Sequence, residues 1–202
     1  MREKICFGGT FNPIHHGHLL CARAAAEAAG AKTVVLFPTG LPPHKPDLAA
    51  LASPHHRLEM CRLAIAGVPG FELDDREVRQ SGPSYTILTA RQLKQDGWTE
   101  VNWLIGSDML NILPRWYQAQ ALLGEVHFIV MARPGTDFAW STLPPAFQTL
   151  RQNVVQVPQI DISGTEIRRR VAVGLPIDFL CPHAVCRYIA DHQLYQTPTG
   201  PR

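Results

Sequence analysis

Three glycines and three histidines stand close together near the start of the chain, in the motif Gly-Gly-Thr-Phe-Asn-Pro-Ile-His-His-Gly-His at residues 8–18. An apolar run at residues 5–7 precedes the motif, and an alanine-rich run at residues 17–29 follows it, which predicts a strand, a turn and a helix. Glycine lets backbone N–H groups approach an anion closely, and the first turn of a helix carries partial positive charge. The motif therefore predicts a phosphate site.

His15 and His18 are the side chains expected to do chemistry at this turn. Residues three apart on a helix are neighbours, so both imidazoles could reach one pyrophosphate. Beside phosphate they should favour the charged, donating form, which predicts that they stabilise charge on a transferring phosphate and do not abstract protons. Two alternatives stay open. The histidines could merely cap a surface helix, or His15, His16 and His18 could bind zinc, although no carboxylate or cysteine is near enough to complete that site.

A second cluster lies at residues 162–170, where the sequence is Ile-Ser-Gly-Thr-Glu-Ile-Arg-Arg-Arg. Ser163 and Glu166 have the spacing of a capping box, which predicts a helix start. The hydroxyls of Ser163 and Thr165, the N–H groups of the first turn and Arg168 would together form a second phosphate clamp. The alternatives are a well-capped helix that needs no ligand and a solvated basic face that includes one or two of the three arginines.

Strand patterns alternate with helix patterns along the whole chain. This alternation predicts an α/β fold with a doubly wound, mostly parallel, Rossmann-like sheet and helices on both faces. Such sheets bind ligands beyond the carboxyl ends of their strands. The residues that follow the predicted strands should therefore meet at one rim: Gly8, Gly9, Thr10, Phe11, His44, Lys45, Gly106, Asp108 and Arg133. Their convergence with the histidines and Arg168 predicts an anionic ligand that carries several phosphates.

Aromatic residues near this rim are candidates for binding a planar ring. Trp116 and Tyr117 could stack on one, although such aromatics more often belong to the core. Ser84 is predicted to cap a helix that ends near Gln95. Tyr85 and Thr86 at its start could offer backbone N–H groups to a carboxylate, although ordinary capping explains them equally well.

Two segments have less regular patterns. Residues 71–78 indicate a short strand or edge segment, and residues 137–153 indicate one short helix.

The bulk composition limits the class of protein. The 202 residues are 46% hydrophobic and 18% charged, with a formal net charge of +2, which predicts one globular domain and disfavours general affinity for nucleic acid or membranes. Five cysteines without a Cys-x-x-Cys pair, and no leader-length apolar run, indicate reduced thiols and a cytoplasmic location. The single domain spans residues 1–202, with a helical part at 163–195 and a tail at 197–202 that is expected to fray. Homo-oligomerisation stays open.

Taken together, these motifs resemble the nucleotidyltransferase superfamily that has a His-x-Gly-His motif, and within it the bacterial nicotinate-nucleotide adenylyltransferases. Besides residues 8–18, four segments carry the resemblance: Pro-Pro-His-Lys at 42–45, Ser-Tyr-Thr at 84–86, Ile-Gly-Ser-Asp at 105–108 followed by Trp116 and Tyr117, and residues 162–168. The match is in unbroken order from Phe7 to the last helix. It therefore covers nearly the whole chain.

The resemblance implies transfer of AMP from ATP to nicotinate mononucleotide, which gives nicotinate adenine dinucleotide (deamido-NAD) and pyrophosphate in NAD biosynthesis, with Mg²⁺ as cofactor. The 5′-phosphate of the acceptor would attack the α-phosphorus directly. Other acceptors, nicotinamide mononucleotide or phosphopantetheine, stay open, as does a non-catalytic module that binds a nucleotide or metal.

The resemblance also implies which residues form the site. The catalytic residues would be His15, His18 and Arg168. ATP would bind Gly8, Gly9, Thr10, Phe11, His15, His18, Gly106, Asp108, Ser163, Thr165 and Arg168. Nicotinate mononucleotide would bind His44, Lys45, Tyr85, Thr86, Asp108, Trp116, Tyr117 and Arg133. Trp116 would stack on the pyridine ring, and N–H groups near Thr86 and Tyr117 would bind its carboxylate. Two positions depart from the family pattern: Gly164, where serine or alanine is common, and Leu88, where an acidic or polar residue is common.

Overall fold

The computed structural model describes residues 3–43 and 51–196, and a parallel sheet of six strands runs through that part of the chain. The strands are β1 (Lys4–Gly9), β2 (Thr33–Pro38), β3 (Phe71–Leu73), β4 (Asn102–Gly106), β5 (His127–Ala132) and β6 (Val154–Gln156). Their order across the sheet is β3-β2-β1-β4-β5-β6, and every neighbouring pair is parallel. The predicted α/β fold with a doubly wound, mostly parallel sheet is confirmed.

Helices connect these strands. In chain order they are α1 (His16–Ala28), α2 (Pro54–Ile65), α3 (Arg76–Arg79), α4 (Thr86–Gln95), α5 (Ala119–Glu125), α6 (Pro145–Gln148), α7 (Gly164–Ala172) and α8 (His183–Asp191). The starts of α2 and α7 follow directly from the sequence. Ser53 and Ser163 each accept a hydrogen bond from the backbone N–H three residues further on, which satisfies one of the donors that a helix start leaves over.

The core is divided by the sheet into two apolar layers. Neighbouring residues along a strand point to opposite faces. Ile5 of β1 and Leu36 of β2 therefore join the layer formed with α1, α2, α7 and α8, whereas Cys6 and Val35 join the layer formed with α4, α5 and α6. Because both faces are covered, residues 5–7 of β1 and 34–37 of β2 are continuously apolar and do not alternate with polar residues.

The strand order places a crevice next to β1. From β1 the sheet is extended on one side by β2 and β3 and on the other by β4, β5 and β6. In doubly wound sheets the loops that follow the two strands at such a switch point diverge to opposite faces, and ligands bind between them. Gly8 and Gly9, predicted as a turn, are the last residues of β1, and Gly106 is the last residue of β4, so the predicted rim lies at this switch point.

Three details of the predicted secondary structure need correction. Ser84 does not cap α4, because its Oγ accepts a hydrogen bond from the N–H of Gly40, and Tyr85 occupies the cap position. Residues 71–73 form the short edge strand β3, as predicted, but the segment does not extend as strand to residue 78, because α3 begins at Arg76. Residues 137–153 contain α6 between two 3₁₀ turns, Trp140–Thr142 and Thr149–Asn153, and not a single short helix.

The predicted tail at 197–202 lies outside the described residues. The assignment of residues 163–195 to a helical part of one domain stays a prediction.

Candidate active site

A cleft of about 1030 Å³ opens at the carboxyl ends of β1 and β4. The predicted site residues that line it are Gly8, Gly9, Thr10, Phe11, His15, His18, Tyr85, Thr86, Gly106, Asp108, Trp116, Tyr117, Arg133 and Ser163. Thr165 and Arg168 are not among the lining residues, although Arg168 contacts the motif that forms one wall. His44 and Lys45 lie outside the described residues. Segments far apart in sequence thus meet in one cavity, while the role of each residue stays a prediction.

The glycine pair that opens the motif, Gly8 and Gly9, is required by packing. A Cβ on Gly8 would lie 2.7 Å from the indole of Trp103, and a Cβ on Gly9 would lie 2.9 Å from the ring of Phe11. Phe11 itself has a left-handed backbone, with φ of 46°, which is uncommon for a residue with a side chain. Aromatic rings thus fill the space that side chains at positions 8 and 9 would need.

His15 and His18 form a stacked pair at the start of α1. Their ring centroids are 3.6 Å apart with 25° between the planes, so the predicted neighbourhood of the two imidazoles is confirmed. Nδ1 of His15 accepts a hydrogen bond from the backbone N–H of His18, at 3.4 Å. That bond requires an unprotonated Nδ1, which leaves the proton of the neutral ring on Nε2. His15 thus caps α1, as the capping alternative predicts, but its side chain is buried, with only 5% of the residue exposed.

His18 has an unused hydrogen-bonding atom. Its Nδ1 is buried and has no partner among residues 3–43 and 51–196. The ring is held by an edge-on contact with Phe11, whose centroid is 5.2 Å away, and by the stack on His15. A buried polar atom without a partner costs free energy, so its position in the wall of a cleft favours a role in ligand binding.

The protein itself opposes a positive charge on this pair. Burial, and next the neighbouring His16, lower the pKa of His15 from 6.5 to about 4. Burial, and next His15, hold the pKa of His18 well below its usual value. The charged form predicted from the sequence would therefore depend on the phosphate itself, because no carboxylate of the described chain holds the histidines protonated.

The histidine pair predicts that the fold is sensitive to acid. Between pH 6.5 and about 4 the unfolded chain binds protons that the folded chain excludes at His15, so stability present above pH 6.5 is lost as the pH falls. His15 alone should cost about 2 kcal/mol of unfolding free energy at pH 5 relative to pH 8. Thermal melting at the two pH values measures the loss.

A matched variant isolates the contribution of His15. His15→Asn keeps a good N-cap and removes the imidazole, so it should lose less stability between pH 8 and pH 5. The comparison matters because the buried Glu77 carboxyl, whose pKa is raised to about 7, shifts stability in the opposite direction in both proteins. Equal losses in the wild type and the variant would contradict the prediction.

The start of α7 forms the second wall of the site. Ser163 Oγ accepts a hydrogen bond from the N–H of Glu166 at 3.2 Å, as predicted. The Glu166 carboxylate, however, is bound by Arg169 at 2.7 Å, so only half of the predicted capping box is formed in the described chain. Arg169, which competes with the capping bond for the Glu166 carboxylate, lies about one turn further along α7. Ile162 and Ile167 contact the same apolar layer and hold the start of α7 against the sheet.

The three arginines of α7 have different partners. Arg169 and Arg170 pair with the Glu166 carboxylate at the surface, which matches the alternative of a solvated face for two of the three. Arg168 points the other way. Its guanidinium donates to the backbone carbonyl of Asn12 at 2.8 Å and contacts Thr165 Oγ1 at 3.4 Å. Arg168 therefore connects α7 directly to the motif that precedes α1.

The sequence did not indicate the roles of two residues that support this wall, Asn12 and Arg57. Asn12 Oδ1 accepts hydrogen bonds from the N–H of Ala52 at 3.0 Å and from the hydroxyl of Tyr195 at 2.7 Å. Arg57 is 1% exposed and donates to the carbonyls of Ala52, Thr10, Thr39 and Gly40. Its signal was a charged residue on the apolar face of α2, three and four residues before the buried Met60 and Cys61.

The aromatic residues form the opposite part of the cleft. Tyr85 and Tyr117 stack on each other with ring centroids 4.5 Å apart. Trp116 is half-buried and contacts Phe128 edge-on, so it belongs both to the core and to the cleft. Leu88, which departs from the family pattern, is 40% exposed and does not line the cleft. The departure therefore leaves the described cleft unchanged.

The described residues include no group of three or more His, Cys, Asp or Glu side chains that could hold a metal ion. Asp108 is an exposed carboxylate at the cleft, close to Gly106, where a side chain would collide with it. No helix in the described ranges is long and apolar enough to cross a membrane.

Comparison with known proteins assigns the chain to a family. The model of the family described as Cytidylyltransferase-like matches residues 6–170. The chain belongs to the cytidylyltransferase-like family. It is 42% identical over 199 residues to a protein of Herpetosiphon aurantiacus called probable nicotinate-nucleotide adenylyltransferase, covering 96% of this chain and 99% of that protein. A protein of the same name from a Synechococcus species is 43% identical over 194 residues, covering 95% and 93%. The resemblance stated from the motifs is confirmed.

Solved structures agree with the fold of the family. The nicotinic acid mononucleotide adenylyltransferase of Plasmodium falciparum, solved in complex with NaAD, superposes with a TM-score of 0.73 at 18% identity, covering 96% of this chain and 98% of that one. The same enzyme complexed with APC superposes with a TM-score of 0.71. At this identity the likeness concerns the fold.

Proposed function

We propose that the protein transfers the adenylyl group of ATP to nicotinate mononucleotide, forming nicotinate adenine dinucleotide and pyrophosphate in NAD biosynthesis. One observation carries the proposal: the stacked histidines at the start of α1 and the Arg168 fork from α7 meet at the same turn after β1. The names of relatives at 42% and 43% identity agree with this reaction. The aromatic half of the same cleft supplies a place for the acceptor.

The phosphate half of the cleft suits charge stabilisation. In the proposed reaction an oxygen of the acceptor's 5′-phosphate bonds to the α-phosphorus of ATP, and the bond to the β-phosphate oxygen breaks to release pyrophosphate. His15 would donate from Nε2 and His18 from a ring nitrogen to the phosphates. Arg168 and the start of α7 would bind the outer phosphates, where charge accumulates as pyrophosphate leaves. Catalysis would then consist of positioning and charge neutralisation.

The acceptor half of the cleft offers flat surfaces and backbone donors. Trp116 would stack on the pyridine ring, next to the paired rings of Tyr85 and Tyr117. In the first turn of α4 the N–H groups of Leu88 and Thr89 donate to the Tyr85 carbonyl, so the N–H groups of Thr86 and Ile87, which precede them, would bind the ring carboxylate. Exposed Arg133 at the rim would face the acceptor's phosphate.

Mg²⁺ would bind this site together with the phosphates of ATP and not to protein ligands alone. Mg²⁺ takes oxygen ligands and is commonly bound by one or two carboxylates together with substrate phosphates. Asp108 is the exposed carboxylate that would hold it here. When bound, the ion supplies neutralisation of phosphate charge.

A comparison of acceptors tests the proposed function. We expect pyrophosphate release from ATP with nicotinate mononucleotide, and a kcat/KM at least about tenfold lower with nicotinamide mononucleotide, because the amide lacks the charge that helix N–H groups favour. The measurement is coupled pyrophosphate detection with each acceptor, with phosphopantetheine as a third. A preference for either alternative acceptor would contradict the assignment, and bound zinc without pyrophosphate release would indicate the non-catalytic module.

A further inference from the structure

A buried carboxyl lies in the wall of the cleft next to the proposed acceptor site. Glu77 of α3 is 3% exposed and lines the cavity together with Ser84, Tyr85 and Thr86. Its Oε1 accepts a hydrogen bond from Thr89 Oγ1 at 2.6 Å. The proposed chemistry gives this group no role. Burying an ionisable side chain costs free energy of folding, so a carboxyl that is buried in the wall of a cleft is a candidate for a functional role.

The carboxyl is held directly behind the start of α4. Ser84 and Thr89, which bind it through their hydroxyls, lie on either side of the Tyr85–Thr86 peptide. Ser84 Oγ also accepts a hydrogen bond from the N–H of Gly40, so its own proton is free to point to Glu77. A side chain at position 40 would collide with the Glu77 carbonyl, which shows how closely the two backbones approach. Glu77 therefore connects the turn after β2 to the helix start that would bind the ring carboxylate.

The surroundings of Glu77 contribute little compensating positive charge. Burial raises its pKa to about 7, and the hydrogen bonds from Thr89 and Ser84 oppose that rise. Asp74 raises the pKa and Arg76 lowers it, and these two are paired with each other at 2.8 Å.

The neighbouring elements add no free cation to the described surroundings. Strand β2, which contacts α3, has no titratable side chain. On α2 the guanidinium of Arg57 donates to four backbone carbonyls. On α4 Arg91 and Lys94 pair with Glu125, and on β1 the Cys6 thiol has a raised pKa, chiefly because of burial.

We propose that Glu77 is a positioning residue whose carboxyl must carry a proton when an acceptor with a ring carboxylate binds at the start of α4. This inference rests on the proposed function. Two carboxylates in one cleft, both beside the start of α4, repel each other unless one is neutral. Protonated Glu77 keeps the hydroxyls of Ser84 and Thr89 in place without that repulsion. Binding of the acid acceptor is then coupled to the uptake of one proton, and binding of the amide is not.

The test is the pH dependence of KM for two acceptors. For the wild type with nicotinate mononucleotide, KM should rise about fivefold between pH 7 and pH 8 and about tenfold more by pH 9, because the proton-bearing fraction falls. With nicotinamide mononucleotide it should stay within about twofold. The 5′-phosphate titrates equally in both acceptors and cancels in the comparison. Glu77→Gln, which cannot ionise, should give a flat profile for both, with kcat within about threefold of the wild type.

A control variant and a second measurement complete the test. Asp75→Asn removes a half-exposed carboxylate that pairs with Arg79 on the same helix, and it should keep the wild-type profile. Calorimetry of the wild type in buffers of different ionisation enthalpy should show about one proton taken up per nicotinate mononucleotide at pH 8 and none with the amide. Parallel profiles for the two acceptors, or no proton uptake, would overturn the role of Glu77 in an active enzyme. Lack of turnover of nicotinate mononucleotide at every pH would instead overturn the proposed function.

Discussion

Replacing His18 with alanine should lower turnover at least about a hundredfold, which corresponds to roughly 2.7 kcal/mol of transition-state stabilisation. The ring lies in the cleft wall, stacked on His15 and packed edge-on against Phe11. Its buried Nδ1 has no hydrogen-bond partner among the described residues, which lowers the stability of the folded protein. Such a preorganised donor is worth most where water is excluded and charge develops on a phosphate.

The size of this effect depends on the neutral state of the pair. A neutral imidazole donates through one nitrogen only, and His15 already uses Nδ1 to accept from the N–H of His18. Each ring therefore has one hydrogen bond to give, and alanine removes it completely. Single-turnover kinetics should place the loss in the chemical step, with little change in ATP binding.

His16→Ala is the matched control for this variant. His16 belongs to the same turn and carries the same imidazole, but it does not line the cleft, and its backbone N–H bonds to the Leu180 carbonyl in either protein. Its turnover should stay within about threefold of the wild type. Because His18→Ala also loses packing against Phe11, its melting temperature is measured alongside. Near-normal turnover in a folded His18→Ala protein would contradict the role in charge stabilisation.

The sequence predicts the sheet and the rim because both depend on local, repetitive signals. Apolar runs such as those of β1 and β2, and serine caps such as Ser53 and Ser163, specify elements within a few residues. Strand alternation then specifies a parallel sheet, whose carboxyl edge must collect the loops. The glycine motif was recognisable for the same reason. Its packing against Trp103, however, depends on a strand almost a hundred residues away and has no local signal.

What the sequence does not reveal are the buried polar contacts between distant segments. Ser84 has a serine's normal preference for a helix cap, but tertiary structure uses its hydroxyl for Gly40 and Glu77. Glu166 has the spacing of a capping box, yet Arg169 competes successfully for its carboxylate. Glu77 follows a strand of only three residues, too short to indicate which face is buried. The pKa of His15 follows from burial, which spacing along one helix cannot report.

Replacing Arg168 with alanine should lower kcat/KM for ATP about a hundredfold. The variant loses a charge-assisted donor to the outer phosphates and also the link between α7 and the carbonyl of Asn12. Both losses act on the same geometry, because Asn12 lies in the motif at residues 8–18, three residues before His15, and its side chain is held by Tyr195. Arg168→Lys keeps the charge but not the planar guanidinium that contacts Asn12 and Thr165 together. Its kcat/KM for ATP should therefore be only about a tenth of the wild-type value.

The variant Arg169→Ala distinguishes the specific role of Arg168 from the effect of the total positive charge of α7. Arg169 is the next residue of α7, is exposed, and pairs with Glu166 at the surface, where an ion pair contributes little. The two alanine variants remove the same charge from the same helix, yet Arg169→Ala should keep kcat/KM within about twofold of the wild type at physiological salt. Steady-state kinetics with ATP varied, together with thermal melting of both variants, provides the comparison. An equal loss in the two variants would mean that α7 attracts the triphosphate only by its overall charge, and the clamp formed with the motif at residues 8–18 would have to be abandoned.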